Sequence, residues 1–288
     1  MSNQGTPATS VHASSTGQAF TDSGWLDAHF EACRTEYEVM LRSVSFQPGW
    51  QVLDAGSGSG SFLPLLAEVV GPSGQITALD LAPENVANVQ ERIKGWALPV
   101  PVQTKVGTLV ELPLLDGQFD AVWCANATQY LSDTELAIAL QEFRRVTRPG
   151  GLVAIKDHAG AIRIEPAPPY FIERNFDAGW KQSAKPGLRA PGAYRGPTLR
   201  TLLREAGFKD VWARSTLIER WAPLRPVEQA LWRDALRSFA GRAPQLDLSA
   251  DDLAIWRELS EPAGAAAFVA QPDFYCREMN VVAVGRVP

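Results

Sequence analysis

Residues 50–60 read WQVLDAGSGSG, an apolar run that ends in an acid and passes directly into three glycines alternating with serines. A short apolar run bounded by such a turn is the pattern of a strand buried on both faces, as in parallel sheets covered by helices. Glycine enters left-handed backbone conformations without steric cost and leaves bare main chain for close approach of a ligand. Gly56, Gly58 and Gly60 therefore predict a tight turn at the carboxyl edge of a parallel sheet, where open α/β folds collect their ligands.

Strands and helices alternate from there. SFLPLLAEVVG reads as a helix ending at Gly71, QITALDL as a strand, and PENVANVQERIKGW as a helix with Pro83 at a tolerated early position. VPVQTKVG and FDAVWCA follow as strands, SDTELAIALQEFRRVTRPGG as a helix capped at Ser132 or Asp133, and GLVAIKDH as the fifth strand. PTLRTLLREAGF then reads as a helix, DVWARSTLIERW as a strand, two further helices follow, and FYCREMNVVAVGRV closes as a strand. This order predicts an α/β fold, a doubly wound and mostly parallel sheet with helices on both faces.

The expected organisation is a disordered tail at 1–20, an N-terminal helical cap at 21–46 and one domain over 47–288. The cap rests on the helical spacing of Trp25, Leu26, Phe30, Tyr37, Met40 and Leu41. An insert at about 159–197, rich in Pro, Gly, Arg and aromatic residues, reads as a substrate wall or lid, and a helical segment spans about 224–262.

Composition narrows the partners. A formal net charge of −5 and a pI near 5.4 offer no basic footprint for a phosphate backbone, so nucleic acid is not an expected partner. Cys33, Cys124 and Cys276 lie too far apart for a short-spaced metal or redox motif, so no metal is expected. The first twenty residues lack the charged head and apolar core of a signal peptide, and no apolar stretch approaches the roughly 20 residues that cross a bilayer. A cytoplasmic enzyme is the expectation; its oligomeric state stays open.

The glycine spacing is G-x-G-x-G, not the G-x-G-x-x-G that seats a dinucleotide pyrophosphate. Asp80 ends the next strand and falls beside the glycine turn, where a carboxylate accepts hydrogen bonds from both hydroxyls of a ribose. A nucleoside-containing cofactor is the expected ligand.

VLDAGSGSG, the strand-ending Asp80, ELPLLDGQFDAVWCANATQYL and RRVTRPGGLVAI together resemble a class I S-adenosylmethionine-dependent methyltransferase, of the small-molecule branch that includes the ubiquinone and menaquinone biosynthesis enzymes. The resemblance covers about residues 50–157, with the four segments in the family's order. It implies a Rossmann-like, seven-stranded sheet whose last strand runs antiparallel, with S-adenosyl-L-methionine as cofactor and S-adenosyl-L-homocysteine as product. It further implies that Asp54, Gly56, Gly58 and Gly60 hold the methionine end of the cofactor, that Asp80 binds the ribose and that Leu81 packs on the adenine. Thr108 and Leu109 fall around the adenine amine, Thr108 where many relatives carry an acid. Asn126 and Ala127 fall near the methionine portion, and Gln129 and Tyr130 where relatives often carry His or Glu facing the reaction centre.

Transfer from a sulfonium requires an acceptor held in line and water kept away, and a side-chain base helps where the acceptor must lose a proton. The candidates for base or acceptor orientation are His158 and Asp157, directly after the fifth strand, and His29 on the cap helix. Trp25, Tyr37, Tyr170, Tyr194 and Arg195 are the expected acceptor-binding residues, contributed by cap and insert. The expected activity is methyl transfer to an oxygen, nitrogen or carbon of a small, partly apolar metabolite in a closed pocket. One rival is a protein that binds the cofactor on this scaffold without transferring methyl. The other is an NAD-dependent oxidoreductase, which the glycine spacing disfavours.

Overall fold

The computed structural model describes residues 23–160, 162–183 and 195–288. Among them run the strands β1 (Gln51–Ala55), β2 (Gln75–Asp80), β3 (Val102–Val106), β4 (Phe119–Ala125), β5 (Thr147–His158), β6 (Arg163–Glu165), β7 (Lys209–Trp221) and β8 (Tyr275–Arg286). The helices are α1 (Ser23–Ser43), α2 (Leu63–Val70), α3 (Pro83–Gly95), α4 (Asp133–Val146), α5 (Phe171–Ser183), α6 (Leu199–Glu205), α7 (Pro226–Arg242), α8 (Ala250–Ser260) and α9 (Pro262–Val269). β2 and β4 flank β1 in parallel, with β3 outside β2 and β5 outside β4. β8 runs antiparallel to β5, and β7 pairs antiparallel with β8 along its whole length.

The mostly parallel, doubly wound sheet with an antiparallel last strand is the fold expected from the sequence. β6 adds an eighth strand to the expected seven by pairing with the amino-terminal end of β8. Three residues are too few to show a period of two. The insert also contains α5, and three helices rather than two lie between β7 and β8. The third, α9, reads PAGAAAFV and has no polar face, so the periodicity that announces an amphipathic helix is missing. The expected tail at 1–20 and Tyr194 lie outside the described residues.

Strand alternation divides the core. Val52, Ile76, Ala121, Trp123 and Ala154 face α1 and α2, whereas Leu53, Leu79, Val122 and Val153 face α4 and α6. On the first face the ring of Phe62 lies 5.2 Å from that of Trp123 and 5.6 Å from that of Tyr37, so α1 is pinned to the sheet through aromatic contacts. A separate core joins α5, α7, α8 and α9, with Phe171 stacked on Trp256 at 4.5 Å. Arg220 at the end of β7 ties these parts together, donating to Glu36 of α1 and Glu228 of α7.

Helix starts follow local chemistry. Ser132 and Glu135 form a reciprocal capping box on α4. α3 begins with Pro83 in its first turn, and Asp80 accepts a hydrogen bond from the Ala82 N–H just ahead of it. No helix among the described residues is long and apolar enough to cross a membrane.

Candidate functional site

The glycine turn sits at the carboxyl end of β1. Gly56, Gly58 and Gly60 have φ of 76°, 54° and 77°, a left-handed region that other residues enter only at a cost. The space their missing side chains leave is taken up within the chain. A Cβ on Gly56 would stand 2.5 Å from Ala127 Cβ, one on Gly58 3.1 Å from Leu26 Cδ1 of α1, and one on Gly60 2.9 Å from Leu63 Cδ1. Backbone conformation and close packing of the chain on itself thus both require glycine here.

Asp80 is held rigidly beside this turn. Its Oδ2 accepts from the Gly58 N–H at 2.8 Å, and its Oδ1 from the Ala82 N–H at 3.0 Å and Asn85 Nδ2 at 3.1 Å. Leu81 next to it is 51% exposed, an apolar surface at the strand tip. Leu109 is buried, and half-buried Thr108 accepts from the Val110 N–H.

Asp54, at the same edge, is buried, and its Oδ2 has no hydrogen-bond partner among the described residues. Burial first, and the charge of Asp80 second, push its carboxyl up to about 8. A buried, unpaired carboxyl oxygen next to a glycine turn is a place for a cationic or hydrogen-donating group. After β4, Asn126 adopts φ of 56°, and Gln129 Nε2 donates back to the Asn126 carbonyl at 2.7 Å.

Helix α1 is fastened to the glycine turn. Asp27 accepts from Ser59 Oγ and Ser61 Oγ at 2.7 and 2.8 Å and from Arg92 at 2.9 Å, fastening the first turns of α1 over the glycine loop.

A polar cluster is buried between α1 and the ends of β5 and β8. Alternation along β5 puts Lys156 and His158 on the α1 face. Lys156 is wholly buried, donates to Asn126 Oδ1 at 2.7 Å and stands 3.8 Å above the Tyr37 ring. Glu278 of β8 lies at the centre, with His29 Nε2 at 3.2 Å, Asn280 Nδ2 at 3.2 Å, Cys33 Sγ at 3.5 Å and His158 Nε2 at 3.7 Å. Burial acts to raise the Glu278 carboxyl, but His29, His158 and Lys156 outweigh it and hold the group well below the ordinary carboxylate range. Burial likewise pushes the Lys156 ammonium down to about 8, against the pull of Glu278.

The expected catalytic residues separate. His29 and His158 converge on Glu278, but His158 Nδ1 accepts from the Gly160 N–H at 2.9 Å. A neutral imidazole whose Nδ1 accepts carries its proton on Nε2, which stands 3.7 Å from Glu278, beyond direct hydrogen-bond reach. Asp157 points to the opposite face of β5, where Thr128 Oγ1 donates to it. Burial pushes its carboxyl up to about 6. Asp157 therefore anchors the turn after β4 and does not join the histidines.

Arg195, expected to hold the acceptor, is 2% exposed and committed to the same turn: it donates to the carbonyls of Thr128 and Leu131 and to Asp133. Tyr170 is 64% exposed, with Arg163 over its ring, and does not line the cluster. Trp25, whose ring lies 4.8 Å from that of His29, and fully buried Tyr37 do line it. Gln129 and Tyr130 sit half-buried in the short turn after β4. Sequence reasoning missed Asp27, Cys33, Lys156, Glu278 and Asn280. A signal was present in part: His29, Cys33 and Tyr37 recur every four residues on one helix face, and Glu278 and Asn280 alternate on one strand face.

A family model described as a methyltransferase domain matches residues 52–151. The demethylmenaquinone methyltransferase of Geobacillus kaustophilus is 33% identical over 189 residues, covering 60% of this chain and 77% of that protein. The arsenite methyltransferase of Halobacterium salinarum is 32% identical over 169 residues, 58% of this chain and 39% of its own length. The chain spans less than half the length of several other curated relatives it matches. In fold it is similar to a SAM-dependent methyltransferase from Aquifex aeolicus, with a TM-score of 0.51 and 24% identity over 68% of this chain and 93% of that one. On the glycine turn, the strand-tip acid and a relative covered over three quarters of its length, the chain belongs to the class I S-adenosylmethionine-dependent methyltransferases, with S-adenosylmethionine as cofactor.

Proposed function

We propose that the chain methylates a heteroatom or acidic carbon of a small, partly apolar metabolite, held against the polar cluster of His29, Glu278 and Lys156. One observation carries this reading: Lys156, inside the cluster, is hydrogen-bonded to Asn126, inside the expected cofactor loop. In this reading that bond joins the two halves of the transfer site.

The residues fit the cofactor. Asp54 offers an unpaired buried oxygen, Asp80 a fixed carboxylate and Leu81 an exposed apolar face. In this reading Asp54 and the amides of the glycine turn hold the methionine end, Asp80 the ribose, and Leu81 and Leu109 the adenine. The bound cofactor supplies an electrophilic methyl group on sulfur. α1 acts as a cap, excluding water with Leu26 and the Asp27 latch. Trp25, Tyr37 and Phe30 give the acceptor an apolar wall, while Lys156 and His158 donate to its reacting atom and the His29–Glu278 pair draws off its proton. Positioning and water exclusion carry most of the catalysis; well-oriented reactions gain roughly 7–11 kcal/mol in this way.

The relatives are named for acceptors as different as a quinone precursor and arsenite, so the acceptor follows from the chemistry of this site and not from kinship. Incubating the purified chain with methyl-labelled S-adenosylmethionine and a panel of quinols, phenols and thiols tests it. Label should appear on an acceptor and fall at least about 100-fold with His29→Ala, the scale of a lost base. Tight cofactor binding without transfer to any acceptor would favour a non-catalytic binding protein, and preference for NAD would sink the assignment.

A further inference from the structure

We propose that His29, Cys33 and Glu278 form a three-ligand site for a divalent transition-metal cation of the zinc class, its fourth position left for water or the acceptor atom. The role of that fourth position rests on the transfer reading above, with the ion, once bound by His29 and Glu278, taking over from that pair the task of acidifying the acceptor; the cation site itself does not.

The donor set is one nitrogen, one sulfur and one carboxylate oxygen, the mixture zinc-like ions prefer, and three protein ligands are the usual number where a position stays open. His29 and Cys33 lie one helical turn apart on α1, and Glu278 reaches them from β8, 249 residues further along the chain. Their ligand atoms all fall within 4.8 Å of one another. His29 Nε2 is 3.2 Å and Cys33 Sγ 3.5 Å from Glu278 Oε1. Around a tetrahedral ion with bonds of about 2.0–2.3 Å, ligand atoms lie roughly 3.3–3.8 Å apart, close to the spacing Glu278 already has to both partners, so closing the site needs His29 and Cys33 to approach each other by at most about 1 Å.

Outer partners that orient ligands are also in place. Asn280 Nδ2 donates to Glu278 Oε1 at 3.2 Å, and Tyr37 Oη lies beside the His29 ring, 3.4 Å from Nε2 and 3.5 Å from Nδ1. His158, fixed by Gly160, presents Nε2 to the other Glu278 oxygen at 3.7 Å. Charge balances as well, since a thiolate and a carboxylate neutralise a dication. The Cys33 thiol donates to Glu278, so binding replaces the S–H proton by a metal–sulfur bond and releases that proton to solvent. Lys156 stays outside the donor set, its ammonium held by Asn126 and the Tyr37 ring.

Cobalt(II) titrated into chelator-treated, reduced protein provides the test. One cobalt per chain is expected, with sulfur-to-cobalt charge-transfer absorption and the visible bands of a tetrahedral ion. Cys33→Ser should abolish the charge-transfer band, Glu278→Gln should weaken binding further, and Asn280→Ala should weaken it by about 10–100-fold. Each variant's binding of S-adenosylmethionine by calorimetry reports whether it is folded. An unchanged cobalt spectrum, or a folded Cys33→Ser variant that binds cobalt with the wild-type affinity and spectrum, overturns the site and leaves a hydrogen-bonded cluster only. A chain that binds S-adenosylmethionine but not cobalt loses the metal site alone. One that binds cobalt but not S-adenosylmethionine keeps the metal site and loses the transfer reading.

Discussion

Lys156 Nζ donates to Asn126 Oδ1 at 2.7 Å, locking the buried cation at the end of β5 to the left-handed residue that follows β4. Lys156→Met keeps the apolar stem, leaves Asn126 without its donor and removes the cation beside Glu278. Breaking a buried charge network in this way costs about 3–5 kcal/mol, read as a lower urea midpoint. Adding Glu278→Gln should recover part of the loss, with a coupling of about 0.5–3 kcal/mol in the double-mutant cycle. Strict additivity of the two changes would mean that the two groups do not interact.

Asp80→Ala should weaken S-adenosylmethionine binding by about 1.5–3 kcal/mol, the scale of hydrogen bonds to a charged group. The loss adds to that of the Gly58 and Ala82 N–H groups, which Asp80 now satisfies. Calorimetry reads it directly, and unchanged affinity would remove Asp80 from the ribose site.

Gly58→Val meets two obstacles, a backbone φ of 54° and Leu26 Cδ1 at 3.1 Å from the new Cβ. The left-handed conformation alone costs about 1–2 kcal/mol for a side-chain-bearing residue. Displacing Leu26 lifts α1 from the turn, so both thermal stability and cofactor affinity should fall. A variant that binds cofactor normally would contradict the close packing of cap and turn.

Asp54 gives a pH signature. Its folded value, about 8, lies above the ordinary carboxyl value of 3.8, so the folded state holds a proton that the unfolded state releases. The contribution to stability is complete below about pH 4 and is lost as pH rises through about 8. Asp54→Asn carries no ionisable group, so its urea-derived stability should vary less with pH over that window. Identical slopes for the two proteins would show that Asp54 does not titrate in this way.

The Asp27 latch should act on rates. Asp27→Ala removes a half-exposed ion pair with Arg92 and two hydroxyl contacts on the glycine loop. A cost of about 1 kcal/mol in stability is expected, because such pairs are screened by solvent. Stopped-flow binding should show faster entry and faster release of S-adenosylmethionine as the cap loosens. Rates equal to those of the wild type would mean that α1 need not move.

Local chemistry written in the chain accounts for most of the scaffold. The apolar run before Gly56, the capping pair Ser132 and Glu135, and Pro83 at a helix start each act over a few neighbouring residues, so strands, turns and helices could be read before any packing was known. The same locality explains the misses: β6 is three residues long, and α9 lacks a polar face. What Arg195 binds was decided by tertiary structure, which spends its guanidinium on the turn after β4. So was the fate of Asp157, turned to the opposite face from His158 by the alternation of a single strand. Glu278 meets His29 across 249 residues, and the antiparallel pairing of β8 with β5 and β7 brings that carboxylate under α1. Periodicity records which face a residue takes on its own element, whereas the partner across the core is set by how elements stack, and no short stretch of sequence encodes that.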